Sequence, residues 1–225
     1  MVIGGCRSGK SRYAQKLTEA AAPCRIYLAT CVPLDEEMAY RVRRHREDRD
    51  ESWTTVEEPL DLPSRIAALS AARGDRGDAA AENRTALLVD CLTLWISNLL
   101  FDPEYAGNPA APESPEAAAV RMETRFADLV RVLSAVEIPV FLVSNETGCG
   151  IVPGDALSRL FRDMAGRLNQ MVAAAASRVT WMVAGIPVPI KPGPAAMPDT
   201  TAAGSGTSGG INSEFNSGPD TAART

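Results

Sequence analysis

The stretch Gly4-Gly5-Cys6-Arg7-Ser8-Gly9-Lys10-Ser11 decides the fold, because it matches the G-x-x-x-x-G-K-S phosphate-binding loop (P-loop) of nucleoside-triphosphate enzymes. The glycines let the backbone turn tightly, so that successive N–H groups can face phosphate oxygens. We expect Lys10 to place its charge on the outer phosphates and Ser11 to offer its hydroxyl to Mg²⁺. The apolar residues 1–3 and the helix-favouring residues 11–17 supply the strand–loop–helix context of the motif. The alternative is a glycine turn before a helix that binds no ligand.

Composition narrows the class of protein. The chain has 225 residues, of which 45% are hydrophobic, and this suffices for one domain with a sizeable core. The net charge of −5 argues against a general nucleic-acid binder, because phosphate contacts need a basic surface. No apolar run reaches the length of a membrane span and no secretory signal precedes the loop, so we expect a cytoplasmic protein. The five cysteines are scattered and are interpreted as reduced thiols: Cys6, Cys24, Cys31, Cys91 and Cys149.

Apolar runs alternate with helical stretches along the chain. The predicted strands lie at 25–29, 53–57, 86–90, 140–144 and 179–183, with a possible last strand at 188–190. The predicted helices lie at 35–49, 60–72, 92–100, 116–135 and 155–176. This alternation predicts an α/β fold with a mainly parallel sheet and helices on both faces. Only three residues precede the loop where a strand has about five, so we expect the natural start to lie upstream or the chain to have been trimmed.

Three segments fall outside this alternation. Residues 74–84 and 102–115 are predicted to be surface loops, the first of them mobile. Residues 192–225 are rich in Gly, Ser, Thr, Ala and Pro and have few large apolar residues. Such a segment cannot offset its ordering entropy by burial, so we expect a disordered tail after a single domain at 1–191.

Further candidate groups follow the other strands, because ligands of open α/β sheets bind beyond the carboxyl ends of the strands. They are Thr30, Cys31, Glu57, Glu58, Asp90, Asn145 and Glu146. Asp90 ends an apolar run, as does the carboxylate that organises Mg²⁺ in P-loop enzymes, but it could instead cap the helix that begins near Leu92. The stretch 145–148 could be functional or simply a turn into the next helix.

His45, the single histidine of the chain, lies in the arginine-rich stretch 41–49. A lone histidine on a charged helix is usually just solvated. The alternative is a nucleophile, since neutral imidazole can attack phosphorus and form a phosphoramidate. The neighbouring guanidiniums would stabilise the developing phosphate charge and keep the imidazole unprotonated.

Several separated segments agree with one pattern. They are Gly4–Arg12, Tyr27–Thr30, Asp35–Met38 leading through Arg41 to His45–Arg46, Trp53–Glu57, Val89–Thr93, Asn98–Leu100, Val143–Glu146, Gly148, Gly150–Pro153, and Phe161–Asp163 with Gly166, Asn169 and Gln170. Together they resemble the bifunctional adenosylcobinamide kinase / adenosylcobinamide-phosphate guanylyltransferase family. The match covers about residues 1–191, and its order and spacing are far more specific than the P-loop alone. Some relatives have a histidine pair where this chain has Arg44-His45, and some have Glu in place of Asp90.

The resemblance implies a RecA-like P-loop fold, often a homotrimer, that acts on a corrinoid in cobalamin biosynthesis. Such enzymes phosphorylate adenosylcobinamide with ATP or GTP and then transfer GMP from GTP to that phosphate through a guanylyl-histidine. The matching position is His45, and Lys10 would act with it in catalysis. The nucleotide contacts implied are Gly4, Gly5, Cys6, Arg7, Ser8, Gly9, Lys10, Ser11, Ala29, Thr30, Cys31, Arg46, Glu47, Asp48, Arg49, Glu57 and Asp90, with Ser11 and Asp90 on Mg²⁺.

Two other functions compete with this interpretation. One is a monofunctional P-loop kinase for a small molecule, in which His45 takes no part. The other is a GTP-binding switch, which is disfavoured because no N-K-x-D-type guanine-reading motif follows any strand.

Overall fold

The computed structural model describes residues 1–33, 49–74, 84–101 and 114–192, together with Glu36, Tyr40 and Arg43. Within them the chain forms one seven-stranded sheet in the order β3-β2-β4-β5-β1-β6-β7. The strands are β1 Val2–Gly4, β2 Cys24–Ala29, β3 Trp53–Glu57, β4 Thr85–Asp90, β5 Val140–Asn145, β6 Val179–Val183 and β7 Ile186–Lys191. All pairings are parallel except that of β6 with β7.

The helices with both ends in the described residues are α1 Lys10–Ala21, α2 Leu62–Gly74, α3 Leu92–Phe101, α4 Pro115–Ala135 and α5 Ala156–Ala175. Side chains cap two of them: Ser114 Oγ accepts from Ala117 N at the start of α4, and Asp155 Oδ1 accepts from Ser158 N at the start of α5. Such caps satisfy N–H groups that have no partner within the helix.

The sheet is covered on both faces. The larger core packs α2, α3, α4 and α5 against one face, with Trp95 and Phe126 fully buried at its centre and 5.9 Å apart between ring centroids. On the other face Ala14 and Leu17 of α1 pack on a smaller cluster that includes Val2 and Val143. The smaller cluster anchors α1, and with it the P-loop, directly over β1.

β1 is short but central. Its three residues pair with β5 on one side and with β6 on the other, so the sheet holds the strand that leads into the P-loop from both sides. Whether the natural chain begins upstream stays a prediction.

The predicted fold class is confirmed, and most element bounds agree within two residues. The possible last strand is longer than expected and antiparallel, because Ala184 (φ 51°) and Gly185 (φ 82°) form a tight two-residue turn between β6 and β7. The helix predicted at 35–49 is helical at Glu36, Tyr40 and Arg43, but Arg49 is not helical, so its predicted end is wrong.

Several predictions fall on residues outside those that the structure describes. They concern the loops at 75–83 and 102–113, the tail from 193 onward, and the residues His45, Arg46, Glu47 and Asp48. The division into a domain at 1–191 and a disordered tail stays a prediction. Among the described helices, none is both long and apolar enough to cross a membrane.

Candidate active site

The P-loop has the geometry that its sequence predicts, between β1 and the first turn of α1. A Cβ at Gly4 would lie 2.5 Å from the backbone oxygen of Met182 on β6, so only glycine fits there. Gly9 has φ 89° immediately before α1, a left-handed conformation that side chains other than glycine rarely adopt. The loop also contacts the β6–β7 turn, where Gly185 N donates to Ser8 O over 3.2 Å. The loop is thus fixed by backbone contacts on both sides.

Lys10 is buried at the start of α1, with 7% of its surface exposed. Its Nζ donates to the carbonyl oxygen of Gly5 over 2.6 Å, so the side chain curls back over the loop. Burial lowers the pKa of Lys10, and the nearby Cys91, Asp90 and Cys6 partly oppose this shift. The ammonium therefore lies inside the loop, where an anionic phosphate would relieve its desolvation.

Ser8 contributes a second polar group inside the loop. Its Oγ is buried and has no hydrogen-bond partner in the part of the chain that the structure describes. Buried hydroxyls in folded proteins are normally paired, so an unpaired one in a phosphate-binding motif fits a site that is completed by a ligand. Gly5, Cys6, Arg7 and Gly9 are exposed around it, and Ser11 is half-buried.

Asp90 lies at the end of β4, two strands from β1, and does not take the capping position of α3. That position belongs to Cys91, whose carbonyl accepts from Trp95 N and whose thiol lies 3.1 Å from Thr93 Oγ1. Burial, with Asp90 as a further cause, raises the pKa of Cys91 to about 11, so this thiol stays protonated at neutral pH. The half-buried Asp90 carboxylate is instead close enough to Lys10 to raise its pKa. The geometry favours the ligand-organising role of Asp90 over the helix-cap role.

Thr30 ties the end of β2 to the end of β4. Its fully buried Oγ1 donates to Cys91 O over 2.8 Å and accepts from Cys91 N over 2.9 Å. Asn98 Nδ2 on α3 donates to Thr30 O over 2.7 Å. Thr30 N in turn donates to Asp90 O over 3.3 Å, so Thr30 supports the site from within the fold through both its side chain and its backbone.

Cys31 and Glu57 lie beside Asp90 at the same edge of the sheet. Burial raises the pKa of the Cys31 thiol, and the carboxylates of Asp90 and Glu57 raise it further. Glu57 is exposed at the end of β3, while Ala29 and Cys31 are half-buried. The structure therefore brings the predicted contacts after β2, β3 and β4 together.

Tyr27 is the site residue that sequence reasoning missed. It pairs with Leu88 in the register of β2 with β4, so Asp90 lies diagonally beside it on the same face, and the Arg49 guanidinium carbon lies 3.7 Å from the centre of its ring. Burial, with Asp90 as a further cause, raises the pKa of Tyr27 well above its usual value, so the hydroxyl stays protonated. From sequence, an aromatic residue within an apolar strand is expected to belong to the core. The signal that could have indicated a site role is its position two residues before Ala29, which puts both residues on the same face of β2.

The groups after β5 have structural roles. Asn145 Nδ2 donates to Thr93 Oγ1 over 2.9 Å, and Glu146 Oε1 accepts from Gly148 N over 2.7 Å. Glu146 N donates to Gly4 O over 2.9 Å. These contacts favour the turn interpretation of 145–148, which supports the P-loop through Gly4.

Glu58, after β3, also has a structural contact. Its carboxylate accepts from the N–H groups of Leu60 and Asp61 before α2.

The described residues suit Mg²⁺ only as an ion shared with phosphate. No group of three or more His, Cys, Asp or Glu side chains among them could hold a metal by itself. Mg²⁺ in triphosphate sites takes one or two protein oxygens and completes its shell with phosphate and water, and Ser11 with Asp90 fits that donor set.

Comparison with known proteins agrees with this geometry. The family model "Cobinamide kinase / cobinamide phosphate guanyltransferase" matches residues 1–190. The chain belongs to this family.

Three named relatives cover the same part of the chain. The bifunctional adenosylcobalamin biosynthesis protein CobU of Salmonella typhimurium is 42% identical over 195 residues, which are 85% of this chain and 98% of the relative. CobU of Escherichia coli is 39% identical over 192 residues, covering 85% and 98% of the two chains. The bifunctional adenosylcobalamin biosynthesis protein CobP of Pseudomonas aeruginosa is 38% identical over 193 residues, covering 85% and 96%. The predicted family and its pair of enzyme activities, kinase and guanylyltransferase, are confirmed at this level.

Proposed function

We propose that this chain phosphorylates adenosylcobinamide and then transfers GMP to the product, with the P-loop binding the triphosphate in both reactions. The observation that carries the proposal is the buried Lys10 inside the loop, with the Asp90 carboxylate near it. A cation and a carboxylate at one anion-binding loop are what phosphoryl transfer requires for charge neutralisation and metal positioning.

In the kinase reaction the P-loop holds the outer phosphates of ATP or GTP. The hydroxyl oxygen of the corrinoid attacks the γ-phosphorus, the bond to the β–γ bridging oxygen breaks, and the nucleoside diphosphate leaves with that oxygen. Lys10 stabilises charge on the phosphates, and Asp90 and Ser11 would hold Mg²⁺, which supplies further charge neutralisation. Positioning and electrostatics supply most of the catalysis in such transfers.

In the guanylyl transfer, a neutral His45 nitrogen attacks the α-phosphorus of GTP and pyrophosphate leaves. The resulting phosphoramidate keeps GMP on the protein. A phosphate oxygen of the phosphorylated corrinoid then attacks the same phosphorus, the P–N bond breaks, and the GDP-linked corrinoid is released. Arg46, Glu47, Asp48 and Arg49 would contact the nucleotide in this step. The support for His45 is the family match and the absence of another histidine in the sequence.

One experiment tests both halves. The protein is incubated with GTP labelled at the α-phosphate and Mg²⁺, and the adduct is mapped by peptide mass spectrometry. We expect an acid-labile, base-stable adduct on the peptide with His45. The variant His45→Ala should lose guanylyl transfer and keep part of the kinase activity. A label on a lysine, or full guanylyl transfer by this variant, would remove the covalent-histidine step and leave a kinase.

The assembly and location of the protein are part of the same proposal: a cytoplasmic homotrimer that does not bind nucleic acid. Trp181 pairs with Val188 and Val183 with Ile186 across β6 and β7, and all four side chains are exposed in the single chain. An apolar face of this kind is typical of a surface that another subunit covers. Analytical ultracentrifugation should give three times the mass of 23.9 kDa, and a monomer would contradict the proposed assembly.

A further inference from the structure

Tyr27 lies between two groups of opposite charge near the carboxyl edge of the sheet. It lies on β2, and its ring makes an edge-to-face contact with Trp53 at 6.5 Å between centroids and an interplanar angle of 73°. The Arg49 guanidinium carbon lies 3.7 Å from the ring centre. Tyr27 pairs with Leu88 of β4, so Asp90, two residues further on, lies diagonally beside it on the same face. The ring also packs against the small core on the P-loop side of the sheet.

The contact with Arg49 uses the flat face of the guanidinium. Stacking on an aromatic ring occupies the flat face of the group, whereas its five N–H donors lie in its plane. A stacked arginine therefore keeps the donors with which it binds phosphate oxygens. Arg49 lies four residues before β3, and its contact with the ring holds the guanidinium against β2.

The Tyr27 hydroxyl is in a position to restrict how the Asp90 carboxylate turns. In the register of β2 with β4, Tyr27 pairs with Leu88 and Ala29 with Asp90, so Tyr27 and Asp90 are diagonal neighbours on one face of the sheet. A hydrogen bond to a charged acceptor is stronger than a neutral one, and such a bond to one carboxylate oxygen would leave the other for the P-loop side. The orientation matters because a carboxylate organises Mg²⁺ only from a narrow range of positions around an octahedral ion.

We propose that Tyr27 is a positioning residue of the transferase site, whose ring places Arg49 for the nucleotide phosphates and whose hydroxyl orients Asp90 for the metal. The inference rests on the proposed function, because it assigns the two neighbours their roles in triphosphate binding. The competing explanation is that Tyr27 only fills the space beside Trp53. Two variants separate the two contacts: Tyr27→Phe removes the hydroxyl and keeps the ring, and Tyr27→Leu removes both.

The test measures the affinity for a fluorescent GTP analogue across a range of Mg²⁺ concentrations, together with kinase KM and kcat. For Tyr27→Phe we expect the Mg²⁺ concentration at half-maximal rate to rise about three- to tenfold, with affinity without Mg²⁺ nearly unchanged. For Tyr27→Leu we expect an additional loss of about three- to tenfold in nucleotide affinity, also without Mg²⁺. Phe141→Leu is the control, because Phe141 packs against the same small core and the substitution also removes an aromatic ring.

A double-mutant cycle with Arg49→Ala shows whether the ring acts through the arginine. In the Arg49→Ala background, Tyr27→Leu should add no further loss of affinity measured without Mg²⁺. The inference would be overturned if Tyr27→Leu lowered the affinity equally in the wild-type and Arg49→Ala proteins. It would also be overturned if Tyr27→Leu, like Phe141→Leu, changed only the melting temperature. Wild-type protein that fails to bind the GTP analogue with Mg²⁺ would refute the proposed function and this inference with it. Normal wild-type binding with unaffected variants would refute only the inference.

Discussion

The two halves of the carboxyl edge of the sheet are built differently. After β1 the phosphate loop is shaped by backbone: Gly4 lies against Met182 O, and Gly9 turns the chain into α1. After β2 and β4 the edge is shaped by side chains from distant parts of the chain, with Arg49 on the Tyr27 ring and Asp90 diagonally beside Tyr27 on the same face. The first half should therefore fail when backbone geometry or the buried Lys10 ammonium changes. In the second half a single substitution should cause a partial loss of activity, because several side chains contribute to that part of the site.

The largest effect is expected at the cation inside the loop. Lys10→Ala removes the buried ammonium that faces the phosphates, and both reactions should fall by about three orders of magnitude. Rates of kinase and guanylyl transfer check this, with Lys16→Ala on the exposed side of α1 as the charge-matched control. If Lys10→Ala retained one reaction at a near-normal rate, the two reactions would not share the loop.

A smaller loss is expected on the side-chain half. Asp90→Asn keeps the shape of the group and removes its charge, so we expect about a hundredfold loss of Mg²⁺-dependent rate with nucleotide affinity changed less than about tenfold. Rates and binding measured over a range of Mg²⁺ concentrations check this. Normal turnover of the variant at low Mg²⁺ would exclude Asp90 from the metal site.

The backbone half can be tested by stability. Gly4→Ala places a methyl group 2.5 Å from Met182 O, and the free energy of unfolding should fall by about 1–3 kcal/mol. Gly5→Ala is the matched control, because a Cβ there meets no atom within 4 Å. Urea unfolding of the two variants gives the comparison. Equal stability would mean that β1 and β6 can move apart at no cost, contrary to a loop fixed by its backbone.

The smallest effect is expected outside both halves. Deletion of residues 192–225 should change the melting temperature by no more than about 2 °C and leave both activities intact, since their composition offers little to a core. Differential scanning calorimetry and the two assays check this. A loss of many degrees would show that the tail packs on the domain.

The difference between the halves explains what could be predicted from sequence. The P-loop is contiguous, and its glycines have local reasons to be there, so the strand–loop–helix arrangement around residues 4–11 was predicted correctly. The contacts of Thr30 with Cys91 span 61 positions, and no local pattern announces them. Likewise, the residue that caps α3 is Cys91, whereas the sequence offered the neighbouring carboxylate of Asp90 as a candidate cap.

Arg49 is a second position at which the sequence pattern and the structure differ. The charged pattern of 41–49 predicted a helix through Arg49, but in the structure Arg49 lies against the Tyr27 ring and is not helical. This contact joins Arg49 to a strand residue 22 positions earlier, and nothing in the local pattern of 41–49 indicates it. Tyr27 was missed because its neighbours in the site, Arg49 and Asp90, come from two other parts of the chain.

The central claim, that one phosphate loop serves both reactions, is tested most directly by counting bound nucleotides. Equilibrium dialysis would use a labelled β,γ-imido analogue of ATP and an α,β-methylene analogue of GTP, which resist cleavage at the bonds that the two reactions break. The account predicts one triphosphate per chain in total, with each analogue displacing the other and Lys10→Ala binding neither. Two analogues bound together on each chain would contradict the account. So would a Lys10→Ala variant that loses binding of only one of the two analogues.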